Sequence, residues 1–336
     1  MAHLFESGFF VRQPAWHGLG TVLDEHPDTW EEARRLAGLE WEVVDRPLPL
    51  LEWNDAAQPR PVVDGNGTMA LDPDWKAIAR SDNGRRLAIV RDSYEIISMR
   101  DFGVIFQEVL DQTNVTFETA GSLDEGRMVW ALAYLDEPYQ VGGDDSLTAP
   151  YMLLISRHDG SSAARLIPTS VRVVCANTVK AAEMEGRTTG AAYSFRHTKN
   201  WRNRIGEAKE AVGLARSSFR AHRAIAEELY GLNVDAARTE WFIEQLMPYP
   251  SDTMMSDRVR ANVDASRNQL RLLAYEVTNE NIAHTAYGLF QMAVEYLDHV
   301  RPHRSATSYF TRSMVDTNTQ KNRAARLAHE AALVSL

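Results

Sequence analysis

Apolar residues fill nearly every position of EGRMVWALAYL (125–135). A strand with no water on either side reads this way, so the segment is predicted to cross the middle of a sheet. LLISRHDGSSAARLIPTSVRVVCANTVKAA (153–182) predicts a strand, a tight turn at Asp159-Gly160, a second strand, and a handover to a helix at CANT. RRLAIVRDSYEIIS (85–98) predicts a hairpin or bent strand pair around Asp92-Ser93, which makes residues 85–175 the sheet-forming core.

Other stretches follow a helical period. In MRDFGVIFQEVLD (99–111), Phe102, Ile105, Phe106 and Leu110 form one apolar face. HPDTWEEARRLAGLEWEVV opens with a capping signal at Asp28 and the acids Glu31 and Glu32, and Trp30, Ala33, Leu36 and Ala37 then recur at helical spacing. A strand is expected at Trp41–Val44, a loop or hairpin at 53–66, and a connecting loop or hairpin at 136–150.

After Cys175 the pattern changes. Residues 199–232 predict one long helix, with Ile205, Ala208, Val212, Ala215, Phe219, Ala226 and Leu229 along one stripe. At 1.5 Å per residue it would be about 45–50 Å long. Further helices are expected near 235–247, 254–277, 281–300 and 321–335, punctuated by Pro248, Pro250 and Pro302. Strands followed by helices define an α+β chain: an antiparallel β-sheet core with packed helices, then a helical C-terminal region. The expected division is a mixed sheet-forming domain at 1–190 and a mainly helical region at 191–336 with a long basic helix.

Composition narrows the function. One cysteine excludes an internal disulfide and a cysteine zinc site, consistent with a reducing, cytoplasmic setting. No run of about 18 apolar residues occurs, so no membrane span is expected. The net charge of −10 is unevenly distributed. Residues 1–150 hold 12 Lys/Arg and 27 Asp/Glu, giving −15, whereas residues 151–336 are at +5. The asymmetry suggests a polyanion partner for the second half, attraction between subunits, or two solvated surfaces of different composition.

Candidate chemistry is sparse. Cys175 shares a strand face with Val171 and Val173, the setting of a small buried side chain. His17 lies in PAWHGLG, whose glycines suit a packed turn and lack the third glycine, strand and helix of a dinucleotide fingerprint. His299 and His303 are separated by Pro302, and no H-E-x-x-H, G-x-S-x-G or GK[ST] occurs. No catalytic set, metal or cofactor is assigned. An enzyme acting on nucleotides or nucleic acid would have to draw on His17, His158, Asp159 and Cys175.

Basic residues are more informative. Arg196, Lys199, Arg202, Arg204, Lys209, Arg216, Arg220 and Arg223 face only Glu207 and Glu210 in sequence, and Tyr193, Phe195 and Trp201 are interleaved. Arg301, Arg304, Arg312, Lys321, Arg323 and Arg326 form a second cluster with Tyr309 and Phe310. Cations neutralise phosphates and exposed rings stack on unpaired bases, so this pattern suits single-stranded nucleic acid; a solvated, ion-paired helix face is the alternative. Arg165 and Arg172 on the sheet would extend such a groove.

Four stretches together resemble a phage- and plasmid-borne family known as phage/plasmid-like proteins, a domain of unknown function. They are PAWHGLG, RHDGSSA…VRVVCANT, FRHTKNWRNRIGEAKEAVGLA and AYGLFQMAVEYLDHVRPHR. The last departs from the family pattern near Tyr287, where a tryptophan is expected. The hairpin with its D-G-S turn, followed by a strand and a basic helix, is also similar to single-strand annealing proteins of the RecT/Redβ and eukaryotic Rad type. That resemblance implies a homo-oligomer holding single-stranded DNA between sheet and helix. It would place Arg165, Arg172, Lys180, Arg196 and Arg204 on the backbone, with Trp201 stacking on a base; Lys199 and Arg202 of the basic cluster complete the expected nucleic-acid-binding set. The expected function is therefore non-enzymatic binding or annealing of single-stranded DNA in recombination or replication. The alternatives are an oligomeric protein-interaction factor that counters or modulates a host system, and a nucleotide-processing enzyme.

Overall fold

The computed structural model describes residues 5–12, 19–111, 115–135, 137–172, 177–179, 193–250, 256–276, 279–301 and 319–335. In chain order the first half contains β1 (Phe5–Val11), β2 (Thr21–Leu23), α1 (Trp30–Leu36), β3 (Val43–Pro49), β4 (Leu51–Trp53), β5 (Pro59–Pro61), β6 (Leu71–Arg80), β7 (Arg86–Arg91) and α2 (Met99–Leu110). There follow β8 (Phe117–Leu123), β9 (Met128–Tyr134), β10 (Tyr139–Gln140), β11 (Leu147–Arg157), β12 (Ala164–Arg172), β13 (Asn177–Val179) and β14 (Tyr193–Phe195). Among the described residues the remainder is helical: α3 (Ile205–Gly231), α4 (Ala236–Leu246), α5 (Asp257–Leu273), α6 (Ala286–Glu295) and α7 (Thr319–Leu333).

The main sheet runs in the order β13-β12-β11-β9-β8-β1-β2, with β10 on β11 and β14 on β12. Its pairs are antiparallel except β1 with β2, which are parallel. The chain is thus an α+β protein dominated by antiparallel sheet. β9 lies between β8 and β11, and both its faces are buried, as its unbroken apolar run requires. Val129, Ala131 and Ala133, with Met152, Leu154 and Leu166, pack against α1, α2 and α3. Trp130, Leu132, Leu153, Ile155 and Ile167 form a second cluster on the other face. Gly121 is a close-approach position: a Cβ there would meet the Ser7 carbonyl and lie 2.6 Å from the Trp130 ring.

α2 follows the sequence pattern closely. Phe102, Ile105, Phe106 and Leu110 are buried. Ser98 caps it: its hydroxyl accepts from the Asp101 N–H at 3.3 Å, and the Asp101 carboxylate accepts from the Ser98 N–H at 2.8 Å. Ser98→Ala is expected to lower stability by about 1 kcal/mol, read from the urea midpoint of unfolding. In α1 the cap is Thr29, not Asp28, because the Thr29 hydroxyl accepts from the Glu32 N–H at 3.2 Å.

Other expectations shift. Residues 85–98 form one strand, β7, followed by an irregular run into α2. The partner strand is β6, whose Pro73, Asp72 and Asp74 hide its alternation. The strand expected at Trp41–Val44 begins at Val43 and runs on to Pro49. The long helix starts at Ile205 instead of 199, after a tight turn. The 281–300 helix is α6 followed by a π-helical turn at Tyr296–Val300. α3 links two cores. Ile205, Val212 and Phe219 belong to the sheet core, whereas Ala226 and Leu229 pack with Phe242, Leu270, Phe290 and Leu327 of the other helices.

Candidate nucleic-acid interface

The segment Arg196–Arg204 connects β14 to α3. β14 adds to the outer edge of β12, with Ala164 opposite Phe195, Arg165 opposite Ser194 and Leu166 opposite Tyr193. Three side chains four residues apart then pin the connection: His197, Trp201 and Ile205 are all buried. Between them Arg196, Lys199 and Arg202 are exposed and Arg204 is half-buried. The backbone closes on itself through the Trp201 N–H to the Thr198 carbonyl at 3.0 Å and the Arg204 N–H to the Trp201 carbonyl at 3.1 Å. Anchors point inward and cations point outward because successive tight turns repeat close to the helical period.

His197 is fixed by Glu95. The His197 Nδ1–H donates to the Glu95 carbonyl at 3.0 Å, and the Glu95 N–H donates to the His197 carbonyl at 3.0 Å. Its ring stacks on Tyr94 at 4.5 Å with a 12° tilt. Burial lowers the His197 pKa, outweighing the opposite pull of the Glu95 carbonyl. Behind it lies His158, fully buried and with neither ring nitrogen hydrogen-bonded among the described residues. Burial, followed by repulsion from His197, pushes the His158 pKa down to about 3. Asp159 closes the D-G-S turn. Asp159 accepts from Arg157 at 2.5 Å and from the Ser161 N–H at 2.9 Å, and Gly160 adopts a φ of 72° that favours glycine.

The predicted site residues divide. Arg196, Lys199, Arg202 and Arg204 come together on one turn. Trp201 does not join them on the surface: it is 0% exposed and meets Phe195 edge-on at 6.3 Å. Arg202 lies over its ring at 4.5 Å, so this indole is a core residue and offers no platform to a base. Arg165 shares a sheet face with Ile155, directly across from it, while its neighbours Ala164 and Leu166 face the helices. It therefore does not line a groove between sheet and α3. Arg172 is seven residues further along β12, about 23 Å in an extended strand. Lys180, Cys175 and His17 lie outside the described residues.

The expected groove along α3 is also shortened by ion pairs. Lys209 pairs with Asp111 at 2.8 Å, Arg223 with Glu227 at 3.7 Å, and Arg216 donates to the Leu135 carbonyl at 3.4 Å. Arg204 pairs with Glu207 at 3.0 Å and lies 5.3 Å from the Tyr193 ring. Arg202 binds Asp101 at 2.6 Å, yet its side chain stays 60% exposed. Arg196 and Lys199 have no carboxylate partner among the described residues. In the second basic cluster, Arg326 pairs with Glu330, Arg323 donates to the Gln245 carbonyl, and Lys321 is buried; Arg304 and Arg312 lie outside the described residues. A concavity of about 360 Å³ between α3 and α7 has walls of both signs, including Glu228, Arg326 and His329. Mixed walls do not favour a polyanion.

The turn's link to Asp101, 101 residues away, and the His197–Tyr94 stack went unforeseen in the sequence. The spacing of His197, Trp201 and Ile205 was the one available signal, since i, i+4, i+8 marks an inward stripe.

The described fold is thus an antiparallel sheet with an exposed basic turn at its edge, leading into a helical half. The chain belongs to the family defined as a domain of unknown function, DUF932, whose model matches residues 86–326. The match begins at β7 and includes the D-G-S turn, the basic turn and most of the helical half. No curated protein and no solved structure matches the chain.

Proposed function

We propose that the protein binds single-stranded DNA without bond chemistry, as a holding or annealing factor, through the exposed cations of the Arg196–Arg204 turn. One observation supports this reading above the others: a nine-residue connection whose buried anchors leave four cations directed outward, two of them without a carboxylate partner among the described residues. An unpaired surface cation has water and counterions to exchange for phosphate, whereas a paired one must first leave its carboxylate. The footprint is smaller than the full basic helix, because Lys209 and Arg223 are already engaged. Confining the charge to one turn also reconciles phosphate binding with a net charge of −10.

The test is fluorescence anisotropy with a labelled single-stranded oligonucleotide over a salt series. Binding at micromolar or lower concentration in low salt is expected. Four phosphate contacts give a slope of about −3 in log K against log salt. The double variant Arg196→Glu/Lys199→Glu is expected to lose at least about tenfold in affinity and to flatten the slope by about 1.4. Folded protein that binds no oligonucleotide in low salt would refute the reading.

A further inference from the structure

With Trp201 inside, the basic turn needs another ring if it is to meet a base, and its aromatic neighbours are not equivalent. Phe195 is fully buried. Tyr94 lies flat against His197, and its hydroxyl donates to the Arg157 carbonyl at 3.4 Å. Tyr193 is half-buried and stands on β14, just before the turn begins. Its partner across β12 is Leu166, so Tyr193 lies on the sheet face that α3 covers and reaches the first turn of that helix.

The ring is fixed there by its neighbours. The Tyr193 hydroxyl donates to a Glu207 carboxylate oxygen at 2.6 Å. Arg204 donates to the same oxygen from Nε at 3.2 Å and from Nη2 at 3.0 Å, and its guanidinium lies over the Tyr193 ring at 5.3 Å. Phe195, anchored in the sheet core, meets the ring at 5.0 Å and 70°. Arg204 ends the turn that also carries Arg196, Lys199 and Arg202, so the contact with Tyr193 closes that turn at its neck. Burial, and then the hydrogen bond to Glu207, push the phenol up to about 12, so the ring is uncharged at neutral pH. Glu207 is the carboxylate at this ring, and its charge is matched by Arg204.

A strand whose phosphates pass the turn brings its bases with it, and an unpaired base has apolar faces exposed to water. A ring already held in one orientation, with a guanidinium beside it, offers such a face stacking and cation–π attraction at little cost in side-chain entropy. We propose that Tyr193 is the platform on which an unpaired base stacks while Arg196, Lys199, Arg202 and Arg204 hold the adjoining phosphates. The proposal rests on the nucleic-acid reading above and gives the physical reason for a single strand: a base inside a duplex is already stacked on both faces and has none to offer Tyr193.

Fluorescence anisotropy with two labelled probes tests it: a single-stranded oligonucleotide, and a strand of the same length built from abasic tetrahydrofuran units, which keeps the phosphates and lacks the bases. Wild-type protein is expected to bind the base-bearing strand about tenfold tighter than the abasic one. Tyr193→Ala is expected to lose that tenfold while its abasic affinity and its salt slope stay at the wild-type values, because the phosphate contacts remain. Tyr193→Phe keeps the ring and is expected to stay within about twofold of wild type on both probes. Wild-type protein that binds the two strands equally, or Tyr193→Ala that still prefers the base-bearing strand, overturns the proposal and leaves the phosphate reading standing. Tyr193→Ala that weakens both strands alike shows that the ring only supports the turn, which also overturns it. Folded wild-type protein that binds neither probe in low salt ends both readings.

Discussion

Lowering the pH from 7 to 4 is expected to remove on the order of 6 kcal/mol of folding stability through two histidines alone. His158 and His222 are enclosed by protein. Burial pushes the first to about 3, with repulsion from His197 adding to it, and burial pushes the second to about 4. In the unfolded chain both return to the ordinary value of 6.5. The native state therefore binds fewer protons than the unfolded state between those limits. The contribution is intact above about pH 6.5 and is lost as the pH falls toward the folded values. At about 1.36 kcal/mol per pKa unit, each ring contributes about 3 kcal/mol of destabilisation by pH 4. That sum is comparable with the whole stability of a typical domain, about 5–15 kcal/mol. Urea unfolding at pH 7, 5.5 and 4 measures it. The midpoint should already fall between pH 6.5 and 5, where exposed carboxylates are still ionised. His222→Leu should flatten the dependence by about half. A midpoint constant from pH 7 to 5 would show that neither ring is held neutral.

Trp201→Ala is expected to destabilise the protein by about 3–5 kcal/mol, the range for emptying a large aromatic site in a core. The ring is wholly enclosed, with Phe195 edge-on beside it and Arg202 over its face. Its Nε1–H has no hydrogen-bond partner among the described residues, so the loss is one of packing and burial. Denaturant unfolding gives the stability change, and anisotropy with Trp201→Phe checks the core role against the base stacking expected from the sequence. As a core anchor, the phenyl ring keeps the turn in place and oligonucleotide affinity stays within about twofold. As a base-stacking residue, Trp201→Ala would leave stability within about 0.5 kcal/mol, the range for surface positions.

The legible part of the fold was what the local period dictates. The doubly apolar run at 125–135 became the interior strand β9, and the face of α2 was buried at the positions its spacing marks. β6 escaped notice because Pro73, Asp72 and Asp74 break the alternation of a strand whose first half is exposed and has no core to face. The loop or hairpin expected at 53–66 falls on the β4–β5 hairpin, and its Pro59 and Pro61, like Pro47 and Pro49 of β3, sit on strand edges where the missing N–H costs nothing. For the candidate site, the cluster of cations was legible but its electrostatic state was not. Asp101 and Asp111 neutralise Arg202 and Lys209 from 101 and 98 residues away. A count of charges in a window cannot register carboxylates supplied by another element.

The amino-acid order by itself determined the class of the chain: strands of period two leading into helices of period 3.6, with most of the positive charge in the second half. Those properties follow from which neighbours along the chain can share a face. Tertiary structure alone decided that Trp201 lies inside, that Arg165 stands on the sheet face away from α3, and that Trp53 of β4 keeps its ring in water. The reason is that burial and ion pairing are settled between elements distant in sequence, by the register of strands and the packing of helices across a sheet.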